Sequence, residues 1–404
     1  MKWIENIIIG FLSLYLFGLF IEGFTFLKYI GLYGSILFFI INIMKKNYQY
    51  DIYNNNKFII NLYLAFLLAN LISVLFSYYN VDFSLKEFRV EFLNVSIFAL
   101  ISLSIKNVKL LSKMLFWSIL LAFIFNTLEY GYNYYSYSNL DFSIRLERNY
   151  SDYFEILYPF LLGGLFIIKN KTKYIIFIIL LLGFFELLLT GARGAWISMI
   201  GETLLFFILI AMIRKEYLKK IIMGTMIGSI LLIGTGYYLF KHSNLIKSKF
   251  AQGVKPNGRV TIIKTRFPIF IKHGNLLTGL GLGSEQYNKF FYDYNAPKVY
   301  VKYNKNYIDY ISTEPIFINL LYKTGILGFL LYFIFSFVFI KYMFKLIKDN
   351  KYNIFDRIFI ISIFSSYVGF YFIRGLVEIR SFKYMIIYLV LFLIIKENKN
   401  VENY

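Results

Sequence analysis

Long apolar runs separated by short polar stretches make up most of this chain of 404 residues. An apolar run of about 17 residues or more is long enough to cross a bilayer as a helix. The pattern therefore predicts an all-α, polytopic membrane protein. We expect about twelve transmembrane helices, at roughly 4–20, 25–44, 58–79, 89–105, 110–128, 152–168, 173–190, 192–213, 219–240, 315–341, 355–374 and 377–396.

One extended polar segment, residues 241–314, interrupts this pattern. It divides the chain into helices one to nine (1–240), a loop domain (241–314), and helices ten to twelve with a tail (315–404). Lysine is concentrated in alternate short loops, and the positive-inside rule assigns those loops to the cytoplasm. Both termini are then cytoplasmic, and 241–314 is one large extracytoplasmic loop. We expect the functional site at the mouth of this loop.

Composition and charge exclude several functions. Hydrophobic residues form 58% of the chain and charged residues 16%. The absence of cysteine excludes disulfides, thiolate catalysis and cysteine-based metal sites. With only His242 and His273 available, no metal or cofactor is expected. The net charge of +20 is scattered over short loops, which argues against nucleic acid and favours contact with anionic membrane lipids or an anionic substrate.

Arginine is distributed differently from lysine. Either residue satisfies the positive-inside rule, yet eight of the ten arginines fall on the predicted outer side. Because a guanidinium binds phosphate through two parallel hydrogen bonds and stays charged, this asymmetry predicts an anion-binding site. The alternative is a set of interfacial anchors that reach lipid headgroups. The eight are Arg89, Arg145, Arg148, Arg193, Arg259, Arg266, Arg374 and Arg380.

Two glycine-containing motifs carry arginines of this set. Thr190–Trp196 reads as a tight outer turn that fixes Arg193, with Glu186 two helical turns earlier as a residue that could orient it. From Gly258 to Phe270 the chain reads as an amphipathic segment lying on the membrane surface, with Arg259 and Arg266 at headgroup level. Pro268 predicts a break or kink in that segment.

The rest of the polar segment offers weaker candidates. The run Gly279-Leu-Gly281-Leu-Gly283 does not follow a soluble strand, so a turn or a backbone anion nest fits better than a nucleotide loop. Gly279 and Gly281 are therefore candidate substrate-binding positions. The tyrosine-rich stretch 287–310 either stacks on sugar rings or forms an interfacial aromatic belt.

Two acidic positions complete the chemistry. Glu314, before Pro315, is placed for a general base, or simply as the acid that favours a helix start. Arg374, Glu378 and Arg380 form either a further anion clamp or an i,i+4 ion pair.

Four motifs in order resemble the O-antigen ligase and polymerase superfamily. They are Leu-Thr-Gly-Ala-Arg193-Gly-Ala-Trp, then Gly-Arg259-Val, then Leu-Leu-Thr-Gly-Leu-Gly-Leu-Gly, then Asn319-Leu-Leu-Tyr-Lys-Thr-Gly325-Ile-Leu-Gly. The resemblance covers about 149–328. It implies a membrane glycosyltransferase of the GT-C type in the bacterial inner (plasma) membrane, with its active site on the extracytoplasmic face.

What the resemblance implies about residues is specific. Arg193 and Arg259 match the two family arginines that bind the donor diphosphate. The histidine that ligases carry eleven residues before the glycine matching Gly325 is replaced here by Glu314. Either Glu314 takes the base role, or the base lies elsewhere, with Asp309 and His273 as candidates. This departure favours a polymerase over a ligase.

The preferred function is polymerisation of undecaprenyl-diphosphate-linked oligosaccharide repeat units, by inverting transfer to an acceptor glycan or glycolipid. A possible chain-length regulator is a further partner. The alternatives are an O-antigen ligase that joins glycan to lipid A core, a glycolipid flippase without chemistry, and a membrane scaffold. A transporter would place ionisable residues at mid-membrane, often with internal repeats, whereas here they gather at one predicted face.

Overall fold

A computed structural model describes residues 2–45, 48–49, 51–139, 141–168, 170–219, 233–251, 258–298, 301–303, 308–310, 314–378 and 380–398. Over these residues the protein is almost entirely helical. The helices are α1 (Lys2–Leu19), α2 (Thr25–Met44), α3 (Asp51–Asn55), α4 (Lys57–Leu75), α5 (Val81–Phe88), α6 (Asn94–Leu103), α7 (Val108–Ser138), α8 (Asn149–Ile167), α9 (Thr172–Leu189), α10 (Arg193–Ile213), α11 (233–242), α12 (Asn244–Ala251), α13 (Gly258–His273), α14 (Ser284–Asp293), α15 (Ile316–Lys348), α16 (Ile354–Val368) and α17 (Lys383–Asn398).

Three kinds of short element complete the description. Strands β1 (Val301–Tyr303) and β2 (Ile308–Tyr310) pair antiparallel as a small hairpin. One 3₁₀ turn follows α10 at Lys215–Tyr217. Two π-helical turns occur, at Arg89–Leu93 after α5 and at Gly369–Ile373 after α16. The predicted loop segment 241–314 thus contains helices α12–α14 and the hairpin, and the side of the membrane on which it lies stays a prediction.

Eight helices in the described part of the chain are long and apolar enough to cross a membrane, namely α1, α2, α4, α7, α9, α10, α15 and α16 with the π turn that follows it. The prediction of a helical membrane protein is confirmed, whereas the count of twelve is not. Predicted span 89–105 opens with a π turn, and α6 has only 10 residues. Helix α8 carries Asp152, Glu155 and Pro159. Most of 219–240 lies outside the described residues, and α17 has 16 residues.

Helix α17 lies at the centre of the bundle. Every residue from Tyr384 to Ile395 is buried, and the helix packs against α6, α7 and α16. A helix that is apolar on all sides must be surrounded by other elements or by lipid. The carboxylate of Glu91, in the first π turn, accepts hydrogen bonds from the Ser381 hydroxyl (2.7 Å) and the Phe382 N–H (2.7 Å). An acid at this end of a helix is favoured by the helix dipole, so the charge that interrupts predicted span 89–105 serves to start α17.

Helix α15 is broken in its first half. Gly325 has φ 63° and ψ −165°, which no helical residue adopts. The broken backbone is completed by the segment 276–281, since the Ile326 N–H donates to the Leu276 carbonyl (2.8 Å) and the Leu280 N–H donates to the Tyr322 carbonyl (2.7 Å). Irregular backbone inside a membrane protein is tolerated where the protein itself satisfies its polar groups. The glycine-rich run therefore fills the gap in α15.

We predict that Gly325→Ala destabilises the protein, whereas Gly10→Ala in α1 does not. A Cβ on residue 325 would collide with the Leu277 carbonyl and approach the Gly279 nitrogen to 2.7 Å, in a backbone conformation that side chains disfavour. A Cβ on residue 10 meets nothing within 4 Å. The expected cost at Gly325 is about 1–3 kcal/mol or more, measured as a lowered unfolding temperature in detergent. Equal unfolding temperatures for the two variants would contradict this role of Gly325.

Candidate active site: the arginine cluster

Six of the arginines predicted to bind substrate come together at one end of the bundle, and Lys249 of α12 joins them. They belong to the connection between α7 and α8, the first turns of α10 and α13, and the segment between the second π turn and α17. We call this group the arginine cluster. Its members are Arg145, Arg148, Arg193, Arg259, Arg374, Arg380 and Lys249.

The Thr190–Trp196 motif is a tight turn, as its glycines predict. Gly191 adopts φ 62°, and α10 begins two residues later at Arg193. The Thr190 carbonyl accepts a hydrogen bond from Arg145 Nε (2.6 Å), and Arg193 donates to the Lys249 carbonyl (3.4 Å). The turn thus connects the α7–α8 connection to α12. Glu186 lies instead against Gly131 and Tyr150, so its predicted part in orienting Arg193 finds no support in this geometry.

Glu378 is surrounded by four arginines. Its Oε1 accepts from Arg148 and from Arg259 (2.9 Å), and its Oε2 accepts from Arg374 (3.0 Å) and Arg380 (2.6 Å). Burial alone would raise the pKa of this carboxyl, but the four guanidinium charges lower it to about 2. Glu378 is therefore ionised at neutral pH and is a poor proton acceptor.

Arg374 makes as many polar contacts as its guanidinium has N–H groups. Nε donates to Glu378. One terminal nitrogen contacts the Ser151 carbonyl (3.0 Å) and Glu155, and the other contacts the Ser151 hydroxyl (2.8 Å) and Asp152 (2.7 Å). Because protein groups engage every nitrogen of its guanidinium, this geometry gives no support to the predicted role of Arg374 in binding substrate. Its guanidinium instead joins α8 to the segment that carries Glu378.

Exposure separates the cluster into two groups. The side chains of Arg374 and Arg380 are 1% and 2% exposed, whereas those of Arg148 and Arg259 are 48% and 24% exposed. Arg380 also donates to Asp152 (2.9 Å), so protein groups engage it on a second side. The accessible cations are Arg145, Arg148, Arg193, Arg259 and Lys249.

The accessible group forms a region of positive potential. Burial, together with the charges of Arg145, Arg193 and Arg148, lowers the pKa of Lys249. Burial and the charge of Arg148 likewise lower the pKa of Arg145, against the opposing effect of Glu378. Cations that depress each other's pKa are stabilised by a bound anion.

Arg266 does not belong to this cluster. Together with Ile262 and Phe270 it forms the buried face of α13, which continues as one helix through Pro268. Its guanidinium lies within 5.1–5.7 Å of the ring centres of Tyr287, Phe291 and Tyr310. Its side chain has no accessible surface, so this geometry gives no support to the expectations that Arg266 lies at headgroup level and binds substrate.

Glu314 is fully buried beside Arg266. The Arg266 guanidinium donates to the Tyr287 hydroxyl, which donates to Glu314, and the two charged groups lie 3.8 Å apart. Two residues after Glu314, the Ile316 N–H donates to the carbonyl of Gly375 (2.9 Å), which is the neighbour of Arg374 in the arginine cluster. The backbone at Glu314 thus lies close to the arginine cluster, but protein atoms cover its carboxylate.

The remaining candidates lie apart from the cluster. The Gly279 N–H donates to the Asn275 carbonyl (2.8 Å) and the Gly281 N–H donates to the Lys323 carbonyl of α15 (3.1 Å), so protein carbonyls already use both N–H groups and this geometry does not support an anion nest. His273 stacks on Tyr294 with ring centres 4.3 Å apart. The side chain of Asp309 lies outside the described residues.

Ser151, Asp152, Glu155 and Lys249 are site residues that the sequence analysis did not single out. A signal existed for Asp152 and Glu155, since these two acids lie three positions apart in an otherwise apolar run. That spacing places them on one face of a helix, where they need a shared cation.

Comparison with known families identifies part of the chain. Residues 177–333 match the O-antigen ligase family model. The resemblance to the O-antigen ligase and polymerase superfamily is therefore confirmed over this O-antigen ligase region, which contains Arg193, Arg259 and Glu314. The match supports a membrane enzyme that acts on lipid-linked glycans, of O-antigen ligase or polymerase type. No protein of curated function matches the chain.

We predict that the Arg374→Lys variant unfolds at a much lower temperature than the Arg148→Lys variant. Lysine keeps the charge but not the planar fork, so it leaves the buried carboxylate of Glu155 without the donors that Arg374 supplies, at an expected cost of about 3–5 kcal/mol. At the exposed Arg148 the expected cost is about 0–1 kcal/mol. Thermal unfolding of both variants in detergent measures the difference, and similar unfolding temperatures would show that the buried network is dispensable.

Proposed function

We propose that the protein is a polymerase of undecaprenyl-diphosphate-linked polysaccharide repeat units of the O-antigen or capsule type. The observation that carries this proposal is the group of five accessible cations, two of them at the positions matching the diphosphate-binding arginines of the family. Together with the match over 177–333, it supports a donor that ends in a diphosphate. The proposed location is the bacterial inner membrane, with both termini cytoplasmic and the cluster on the extracytoplasmic face.

In the proposed reaction, an acceptor sugar hydroxyl attacks the anomeric carbon of the donor. The bond between that carbon and the diphosphate oxygen breaks, and its electron pair leaves with the lipid diphosphate. Arg193, Arg259 and Arg148 stabilise the charge that develops on the leaving group, which is the usual function of preorganised donors at such a site. The displacement inverts the anomeric centre, so a product linkage of retained configuration would contradict this mechanism.

The proton of the acceptor hydroxyl needs a base. We keep Glu314 as the candidate on the strength of its family position. Because its carboxylate is covered by Tyr287 and Arg266 in this structure, the role requires that this group opens to admit the acceptor. Catalytic hydrogen bonds often form only in the complex with substrate, so burial without substrate is compatible with the role.

The polymerase is favoured over a ligase because Glu314 stands where ligases carry histidine. A ligase would transfer the glycan to lipid A core or another acceptor. A flippase is the alternative of another class, and it would need ionisable groups along a path through the bundle.

We predict that purified wild-type protein extends undecaprenyl-diphosphate repeat units in the presence of EDTA, giving a ladder of longer lipid-linked products. Arg193→Ala and Arg259→Ala should each lower the rate about 100-fold or more, as expected for the loss of a preorganised donor. Arg214→Ala is the matched control, since this exposed arginine pairs with Glu216 outside the cluster.

The outcomes separate the alternatives. Transfer to added lipid A core without a ladder would identify a ligase. Movement of the lipid across liposomes without any new glycosidic bond would refute the enzyme. Loss of activity with EDTA would contradict metal independence.

A paired variant tests the base. Glu314→Gln alone leaves Arg266 buried without its counter-charge, so it should destabilise the protein whatever Glu314 does in catalysis. Arg266→Met together with Glu314→Gln removes both charges. If Glu314 is the base, the double variant unfolds near the wild-type temperature but does not turn over. Activity in the double variant would make Glu314 a support residue and would assign the base elsewhere.

A further inference from the structure

We infer that Glu378 is a positioning residue of the donor site, which holds Arg148 and Arg259 in the orientation that a diphosphate needs. The inference rests on the proposed function and deepens it. Neither the motifs nor the family match, which ends at residue 333, assigns a role to this carboxylate.

The two oxygens of Glu378 face different groups. Oε2 is held by Arg374 and Arg380, which are buried and engaged on their other sides by acids of α8. Oε1 is bound by Arg148 and Arg259, which are accessible. The buried arginines therefore fix the carboxylate of Glu378, and the carboxylate in turn fixes the guanidinium groups of Arg148 and Arg259.

Glu378 also lies against the start of α10. A Cβ on Gly194 would come within 3.6 Å of its carboxyl carbon and 3.3 Å of Val377, so the backbone after Arg193 passes beside the carboxylate. Glu378 thus lies close to both arginines that match the diphosphate-binding pair of the family, Arg193 and Arg259.

The physical effect is preorganisation. Arginine has a long, flexible side chain, and ordering it at the moment of reaction is unfavourable. A single ionised carboxylate orders Arg148 and Arg259 beforehand, while one negative charge leaves most of the positive potential of the accessible cations uncompensated. A diphosphate can then bind without new ordering of these side chains.

In the Glu378→Gln variant, the change in charge and the change in orientation act on different steps, binding of the donor and stabilisation of the leaving group. The variant adds net positive charge, so ground-state attraction of the diphosphate is kept or strengthened. It also weakens the bonds that orient Arg148 and Arg259, so stabilisation of the leaving group falls. We expect kcat to fall about 10- to 100-fold, with KM for the donor unchanged or lower. Glu378→Asp keeps the charge and should recover part of kcat.

The decisive experiment is a double-mutant cycle in purified protein, with undecaprenyl-diphosphate repeat units as donor. Wild type, Glu378→Gln, Arg148→Ala and the double variant are compared for kcat, KM and unfolding temperature. If Glu378 acts through Arg148, Glu378→Gln lowers kcat much less in the Arg148→Ala background than in wild type. Fully additive effects would overturn the inference, as would a wild-type kcat in Glu378→Gln or a rise in KM alone.

Failures of folding and of the proposed function remain distinguishable. If Glu378→Gln does not fold, the same cycle is run with Glu378→Asp, and a lowered kcat there that adds fully to that of Arg148→Ala contradicts the inference. If wild type makes no product at all, the proposed function fails. The cycle is then run on the affinity for undecaprenyl diphosphate alone, where additive effects refute the coupling of Glu378 to Arg148.

Discussion

The buried guanidinium of Arg374 is the interaction on which the candidate site depends. A charge without solvent is tolerated only when paired and hydrogen-bonded. The first two turns of α8 and the segment after the second π turn supply those partners, as Ser151, Asp152, Glu155 and Glu378. The positions of α8 and of the segment before α17 are thereby fixed relative to each other. Because Arg148 lies immediately before α8, its position is fixed as well. The same holds for the Glu378 carboxylate, which accepts a hydrogen bond from Arg148.

A second set of polar groups that need partners lies at the break in α15. The break in α15 exposes backbone groups, and the glycine-rich segment 276–281 satisfies them. This arrangement anchors the polar segment to the bundle just before α14. A separate hydrogen bond, from the Ile316 N–H to the Gly375 carbonyl, places the start of α15 and Glu314 next to the segment that carries Arg374. Two parts of the chain that are distant in sequence therefore converge on one end of the bundle because polar groups away from water need partners.

The sequence predicts the helical membrane architecture and the arginines that come together, but it does not predict which of these arginines are buried and which are accessible. The apolar runs locate most helices, and the excess of arginine on one predicted side anticipates the cluster. Whether an arginine is accessible or buried depends on its partners, and Arg374 pairs with α8 residues more than 200 positions earlier. Arg266 reads as a surface residue because its amphipathic segment could face lipid headgroups, but the face of α13 that carries it packs against aromatic rings. The break at Gly325 has no local signal beyond a glycine in an apolar run.

We propose that the accessible members of the arginine cluster bind a lipid diphosphate. A cryo-electron-microscopy structure of the purified protein with undecaprenyl diphosphate tests it most directly. We expect phosphate density between Arg148, Arg193 and Arg259, with oxygen-to-nitrogen distances of about 3 Å and with Arg374 still bound to α8. Phosphate density elsewhere on the protein, or a cluster closed around Glu378 with no phosphate, would contradict it.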